Sequence, residues 1–207
     1  MAKRNLVDLP ITCQTAFNGY SHRMTVAWTP HRFAGGALAL DLANTMVLRN
    51  RPEERFDRLA DPHEIPRFAE AARTIRADEF GADGFRQPGD DMQPTQITAF
   101  REATDALFRD AAEGGELRPT LLHPFLRAAA DCMDGRGPGS FETALGLSAL
   151  SLLAPDRLMR IRICANCAWL FLDRSRNGSL LWCDMAVCGN RAKARRHRLK
   201  QKATVHG

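Results

Sequence analysis

The sequence contains no apolar run long enough to cross a bilayer. Its longest nearly apolar stretch, residues 143–154, covers twelve residues, whereas a membrane-spanning helix needs about 20. The first thirty residues also lack the continuous apolar segment and small-residue cleavage site of a secretory leader. We therefore expect a cytoplasmic protein without membrane contact, and its 207 residues suffice for one or two domains with a sizeable core.

Catalytic signatures are missing as well. The sequence has no phosphate-cradling glycine loop, no metal motif with an open ligand position, and no recognisable cysteine–histidine or serine–histidine pattern. We therefore do not expect an enzyme, although a cleft assembled from distant residues would leave no such trace. Internal repeats and low-complexity tracts are also absent.

Four of the six cysteines are arranged as C-x2-C-x15-C-x4-C. Thiolates two residues apart on a tight turn can face one ion, and a second close pair completes a tetrahedron around zinc. Core thiols or disulfides are the alternatives, and a reducing cytosol disfavours disulfides. We predict one structural Zn²⁺, because four protein ligands leave no open position for activating water. The predicted ligands are Cys164, Cys167, Cys183 and Cys188, whereas Cys13 and Cys132 are expected to be ordinary thiols.

Positive charge is concentrated at one end of the chain. Residues 157–207 hold 12 Lys and Arg against 2 Asp and Glu, whereas residues 1–156 hold 17 against 22. The overall charge of +5 is therefore unevenly distributed, and the C-terminal end is suited to bind an anion. Such a split indicates nucleic acid or a membrane surface, although a charged tail can also simply keep a protein in solution.

Hydrophobic periodicity and capping residues predict a mainly helical body. The expected central buried helix is 141–154, capped by Ser140, and a loop is expected over 77–94. Residues 1–29 are expected to be a poorly ordered leader, and Met24 is a possible natural start. The other predicted helices cover residues 34–49, 61–76 with Asp61 as cap, 95–114 with Thr95 as cap, and 120–133 around Pro124.

The pattern changes after Pro155. Residues 168–172 favour a strand, Asn177-Gly178 favours a type I′ turn, and residues 180–182 are expected to return as the partner strand. A helix that carries Cys188 near its start should follow. The turn with the first cysteine pair, residues 164–167, is called the knuckle below. Together, the knuckle, the hairpin and the helix predict a small treble-clef-like finger over 157–207, which follows a helical domain over 30–156 in the sequence.

Two segments of the sequence resemble known families. Cys-Ala-Asn-Cys (164–167), Trp-Cys-Asp-Met (182–185) and Cys-Gly-Asn-Arg (188–191) closely resemble the CGNR zinc-finger family. The Gly-Gly-x-Leu-x-Leu-Asp-Leu-x-Asn-Thr run (35–45) is similar to the start of the ABATE domain, which precedes this finger in bacterial stress-induced transcription regulators. The resemblance implies a helical, sensor-like domain followed by a finger that binds DNA.

The chain departs from the family pattern in two places. Leu180-Leu181 stands where the family usually has two arginines, and the tryptophan common in the early ABATE helices is absent from residues 61–76. The first departure removes two charges from the predicted hairpin. Any nucleic-acid contact should therefore shift toward the final helix.

Residues 191–202 hold seven cations and no carboxylate. Like charges so close together repel each other unless an anion such as a phosphate backbone neutralises them. A solvated, frayed tail is the alternative. Asn190 could read a base edge or bond neighbouring backbone to shape the knuckle, and His197 is not expected to bind zinc. The predicted nucleic-acid residues are Arg174, Arg176, Asn190, Arg191, Lys193, Arg195, Arg196, Arg198 and Lys200.

Asp41, Asn44 and Thr45 interrupt a leucine-rich helix in the body. Buried polar side chains need partners, so these three either line a ligand cleft or form an internal hydrogen-bond network that fixes helix packing. Arg49 and Arg51 could belong to the same site.

These features lead to two hypotheses. The first is a zinc-finger transcription regulator that binds DNA, with a helical domain that senses a small-molecule effector or forms a homodimer. The second is a non-enzymatic interaction module whose finger binds an acidic protein or RNA.

Overall fold

The structure is a computed structural model that describes residues 25–81 and 83–205. Within these residues it contains eight α-helices and two antiparallel two-stranded sheets, which confirms the mainly helical fold with a terminal finger. Strand β1 (Met46–Val47) pairs with β2 (Phe56–Asp57), and β3 (Ile161–Ile163) pairs with β4 (Leu170–Leu172). The helices are α1 (Leu38–Ala43), α2 (Glu64–Ile75), α3 (Ala77–Phe80), α4 (Pro94–Gly114), α5 (Pro119–Met133), α6 (Phe141–Ser151), α7 (Pro155–Leu158) and α8 (Asn190–Val205).

Helix α1 lies at the centre of the body. Its residues are all buried, and it packs against α4, α6 and β4. The predicted helix over 34–49 is wrong in its length, because the chain leaves the helix at Asn44, whose side chain bonds to β4. Leu48 then adopts a positive φ of 54° just after β1, a conformation that no helix could continue.

Two glycines let the chain pass close to β4 before α1 begins. The carbonyl oxygen of Gly35 accepts from the backbone N of Leu172 at 2.8 Å, and the N of Gly35 donates to Asp41 Oδ1 at 2.8 Å. A Cβ on Gly35 would lie 2.7 Å from that oxygen, and Gly36 has a φ of 80°. Larger side chains would therefore push β4 and α1 apart.

Three of the predicted helices are present with small shifts of their ends. α2 begins at Glu64 with His63 as its N-cap residue, so the predicted Asp61 cap is wrong, and it ends at Ile75, one residue before Arg76. α5 continues through Pro124. Ser140 caps α6 as predicted, since its Oγ accepts from the backbone N of Thr143 at 3.1 Å.

Helix α4 differs from its prediction at the start. It begins at Pro94, and its N-cap residue Gln93 makes no side-chain cap, so the predicted Thr95 cap is wrong. Proline suits the first helical position because its missing N–H would have had no partner there. The left-handed Gly115 ends α4 where it was expected.

The distribution of burial corrects two further predictions. Residues 77–94 contain α3 and bury Phe85, whose ring centroid lies 5.4 Å from that of Phe80 and 5.5 Å from that of Phe141. α6 is less completely buried than α1, because its Leu147 is 56 % exposed.

The predicted partner of β4 is also wrong. β4 pairs with β3, the segment before the first cysteines, and not with residues 180–182, which form no strand. The other edge of β4 is already occupied, because Leu170 bonds to Asn44 and Leu172 bonds to Gly35. No open edge of β4 is left for residues 180–182.

Strand β4 separates two cores. Leu170 and Leu172 join the large core of the helical body, whereas Phe171 packs with the cysteines and Trp182 in a small second core. The alternation of side chains along a strand explains this division. The body and the finger therefore share a structural element, although the proposed division at residues 156 and 157 stays a prediction.

The end of the predicted leader packs on the body. Trp28 lies 5.2 Å from Phe68 between ring centroids, and its Nε1 donates to Glu64 Oε2 at 2.9 Å. Residues 1–24, with Met24 and Cys13, lie outside the described residues. None of the helices in the described part of the chain combines the length and the apolar character that crossing a membrane requires.

Candidate metal centre and nucleic-acid interface

The four predicted cysteines converge on one point. Their Sγ atoms all lie within 4.8 Å of one another, and the Cys167–Cys183 and Cys183–Cys188 sulfurs are each 3.7 Å apart. Tetrahedral zinc with Zn–S bonds of about 2.3 Å requires sulfur–sulfur distances of about 3.8 Å. The site therefore fits one structural Zn²⁺, as predicted.

Hydrogen bonds to the sulfurs prepare this site for a metal. The backbone N–H groups of Cys167 and Cys183 donate to the Cys164 sulfur, and that of Trp169 donates to the Cys167 sulfur. Asn166 Nδ2 donates to Cys188 Sγ at 3.5 Å. Donors of this kind stabilise thiolates and orient them toward the metal.

The first cysteine pair is anchored to α4 through its turn. Ala168 adopts a positive φ of 60° just after Cys167, and its carbonyl oxygen accepts from Arg109 NH1 at 3.0 Å. Asp105 holds Arg109 with contacts of 2.7 and 3.0 Å. The knuckle is thereby fixed to the helical body.

The second cysteine pair is fixed by Asp184. Its Oδ1 accepts from the backbone N of Ala186 and Val187, which starts the π-helical turn Met185–Gly189, and its Oδ2 lies 2.8 Å from His31 Nδ1. Burial raises the pKa of Asp184, but the bonds from His31 and the two amides outweigh this effect and hold the pKa below its usual value. Asp184 thus stays a charged cap between finger and body.

Helix α8 presents its cations to solvent. Within the part of the chain that the structure describes, no ion pair joins an α8 cation to a carboxylate, and the described contact is from Arg195 NH1 to Asn166 Oδ1 at 3.3 Å. The side chains of Lys200 and Lys202 lie outside the described residues, so this absence of ion pairs concerns the other cations of the helix. The exposed cations are Arg191, Lys193, Arg195, Arg196 and Arg198.

The remaining predicted nucleic-acid residues occupy different surroundings. Arg174 is engaged by the body, where it bonds to Asp78 Oδ2 and to the Gly36 carbonyl oxygen, both at 2.6 Å. Arg176 is exposed. Asn190 Nδ2 donates to the Ala186 carbonyl oxygen at 2.9 Å, which is the backbone role considered for it. The base-reading role of Asn190 stays a prediction.

Asp41, Asn44 and Thr45 are buried and hydrogen-bonded. Asp41 Oδ2 accepts from Arg76 Nε at 2.6 Å, and Thr45 Oγ1 donates to the Leu42 carbonyl oxygen at 2.7 Å. Burial raises the pKa of Asp41 to about 7, although the charge and the hydrogen bond of Arg76 oppose this rise. These contacts are those of an internal network that fixes helix packing. The ligand-binding role of the three residues stays a prediction.

Asn44 joins the body to the finger through both ends of its amide. Nδ2 donates to the Leu170 carbonyl oxygen at 2.8 Å, and Oδ1 accepts from the Leu170 N at 2.9 Å.

We expect Asn44→Ala to lower the free energy of unfolding by about 2–4 kcal/mol, because two buried backbone groups lose their partners. Urea unfolding checks this, with the exposed Asn50→Ala as control. A loss below about 1 kcal/mol would show that water or a rearranged neighbour replaces the amide.

Several residues around the site were not anticipated from the sequence. His31, Arg58 and Arg109 contact the finger from the body, and nothing local in the sequence marks them. Asp184 was detectable, because an acidic residue directly before a helical turn is a typical N-cap.

Arg49 lines a groove of about 870 Å³ between α4 and the knuckle, with Arg109, Cys164 and Ala168 among the other lining residues.

The comparisons with known proteins agree with this arrangement. The family model described as CGNR zinc finger matches residues 160–201. The model of the ABATE family, described as a putative stress-induced transcription regulator, matches residues 36–154, which is more than half of the chain. No curated protein and no solved structure matches significantly.

Proposed function

The chain belongs to the ABATE family and carries a CGNR zinc finger, and we propose that it is a non-enzymatic, cytoplasmic transcription regulator whose finger binds duplex DNA through α8. One observation carries this proposal. The cations of α8 whose side chains are described, from Arg191 to Arg198, are exposed, and the described residues of the body offer them no carboxylate partner.

The charge distribution along α8 supports a phosphate-rich partner. Arg191, Arg195 and Arg198 share one helical face, so their mutual repulsion destabilises the helix until an anion approaches. Arginine can hold a phosphate with two parallel hydrogen bonds. Cys188 lies in the π-helical turn directly before α8, so a zinc ion bound to it would anchor the start of this helix.

Binding of zinc-loaded protein to fluorescent duplex DNA tests the proposal. If about four phosphates are neutralised, the slope of log K against log salt should be near −3.6, and affinity should fall on the order of a hundredfold between 50 and 200 mM salt. Fluorescence anisotropy measures both quantities. Absence of salt-sensitive binding would remove the proposal.

Charge-neutralising variants locate the contact. Changing Arg191, Arg195 and Arg198 together to Gln should reduce the magnitude of the slope by roughly 2.7. The matched control changes three exposed arginines of the body, Arg51, Arg73 and Arg127, to Gln. An equal effect of both sets would mean that net charge, and not α8, governs binding.

A second candidate function rests on exposed apolar side chains of the finger. Leu181 is 62 % exposed and Met185 is 47 % exposed, and a surface that is both apolar and cationic also suits an acidic protein or RNA. Single-stranded RNA or an acidic polypeptide that competes better than duplex DNA in the same assay would favour this interaction module.

We propose that a small-molecule effector binds in the groove beside Arg49. It lies between α4 and the zinc knuckle, so a ligand there would contact the body and the finger together. Homodimer formation through the helical domain stays a prediction.

A further inference from the structure

Arg58 is a buried cation without a carboxylate partner. It is 6 % exposed, and its NH1 donates to the Asn44 carbonyl oxygen at 3.3 Å. The buried Arg76 and Arg101 both pair with aspartates, but no carboxylate among residues 25–81 and 83–205 forms an ion pair with Arg58. An unpaired buried charge is costly, so a compensating negative charge is expected nearby.

Arg58 contacts an aromatic residue that in turn bonds to one of the predicted zinc ligands. Its guanidinium carbon lies 5.2 Å from the Trp169 ring centroid, and Trp169 donates its backbone N–H to the Cys167 sulfur. Burial, together with the positive charge of Arg32, lowers the pKa of Arg58 to about 9, although the interaction with Cys167 opposes both effects. The ring supplies part of the compensation through a cation–π contact.

The zinc centre supplies the missing negative charge. Four thiolates around one Zn²⁺ leave a net charge of roughly −2, and Cys164 and Cys188 are buried. We propose that Arg58 is the fixed counter-charge of the zinc tetrathiolate and couples metal occupancy to the helical body. This role is independent of what the finger binds.

The coupling follows from the position of Arg58 in the chain. It directly follows Asp57, which bonds to Arg101 of α4, and it bonds to Asn44, which holds β4. Because binding linkage is reciprocal, Arg58 strengthens zinc binding as much as zinc stabilises the charged Arg58.

Zinc affinity provides the first test, measured on the full chain by competition with a chromophoric chelator. Arg58→Gln should weaken zinc binding about 10–100-fold, the range found for residues behind metal ligands, and Arg58→Lys should retain part of the affinity. The control is Arg55→Gln, an exposed arginine three residues away, which should change affinity by less than roughly twofold. Unchanged affinity in Arg58→Gln would overturn the proposal.

A second measurement separates charge compensation from simple packing. Arg58→Met keeps most of the apolar volume without the charge, whereas Arg58→Lys keeps the charge without the planar guanidinium group. In the same chelator competition on the full chain, Arg58→Met should lose as much zinc affinity as Arg58→Gln, and Arg58→Lys should lose less. Affinity that is retained by Arg58→Met but lost in Arg58→Lys would make Arg58 a packing residue and overturn the proposal.

Discussion

Replacing Cys188 by Ser should abolish stable zinc binding and unfold the finger while the helical body stays folded. Structural zinc contributes apparent binding free energies of about 10–16 kcal/mol at neutral pH, and serine is a poor substitute for a thiolate ligand. The second core consists of the cysteines with Phe171 and Trp182, so little apolar burial remains once the metal is gone. The large core does not depend on that cluster.

Two measurements check this result together. Metal analysis should give less than one zinc per chain, and amide spectra should lose the dispersed signals of residues 164–190. Far-UV circular dichroism should keep most of its helical signal, since α1 to α6 lie outside the finger. Full zinc occupancy with an intact knuckle would show that three sulfurs and a substitute ligand suffice.

Cys132 offers the matched control. It is a buried thiol in α5 that packs in the large core, and burial raises its pKa to about 12, so it is not a thiolate available to a metal. Cys132→Ala should therefore keep one zinc per chain. It should lower stability only by the small loss of a buried sulfur, on the order of 1 kcal/mol.

The metal site was predictable from the sequence because the residues that define it lie close together in two short segments. Two short cysteine spacings determine the two pairs of ligands, and the fold has only to bring the pairs together. The cationic helix was predictable for the same reason, since its charges follow one another along a single segment. The Ser140 cap and the Gly115 stop are likewise signals confined to a few residues.

The pairing of β4 was not predictable in this way. Asn177-Gly178 favours a local hairpin, but Asp173 accepts from the backbone N of Ser175 at 2.8 Å and of Leu180 at 2.9 Å and forms a tight turn there instead. The choice of β3 as partner depends on Asn44, which is 126 residues away from Leu170. Strand pairing is decided by which edges the rest of the fold leaves open, and a single segment does not contain that information.

Replacing Arg101 by Leu should produce a large loss of stability in the helical body, comparable to that of Asn44→Ala. Arg101 is 1 % exposed and holds Asp57 with two bonds of 2.6 and 2.8 Å. Burial disfavours its charge, but the bonds and charge of Asp57 outweigh this effect and raise the pKa of Arg101. Breaking one side of a buried pair costs about 3–5 kcal/mol, and the partial exposure of Asp57 places the expected loss near the lower end.

Three comparisons in urea unfolding distinguish this explanation from a loss of packing. Arg101→Lys keeps the charge but cannot form the two parallel bonds, so it should lie between the wild type and Arg101→Leu. Arg73→Leu breaks an exposed pair with Glu70 and should cost less than about 1 kcal/mol. Removing both charges, as Arg101→Leu with Asp57→Leu, should recover part of the loss, because no unpaired carboxylate remains. If the double variant is as unstable as the sum of its single changes, the role of Arg101 is packing between α4 and the β1–β2 hairpin, and the ion pair adds nothing.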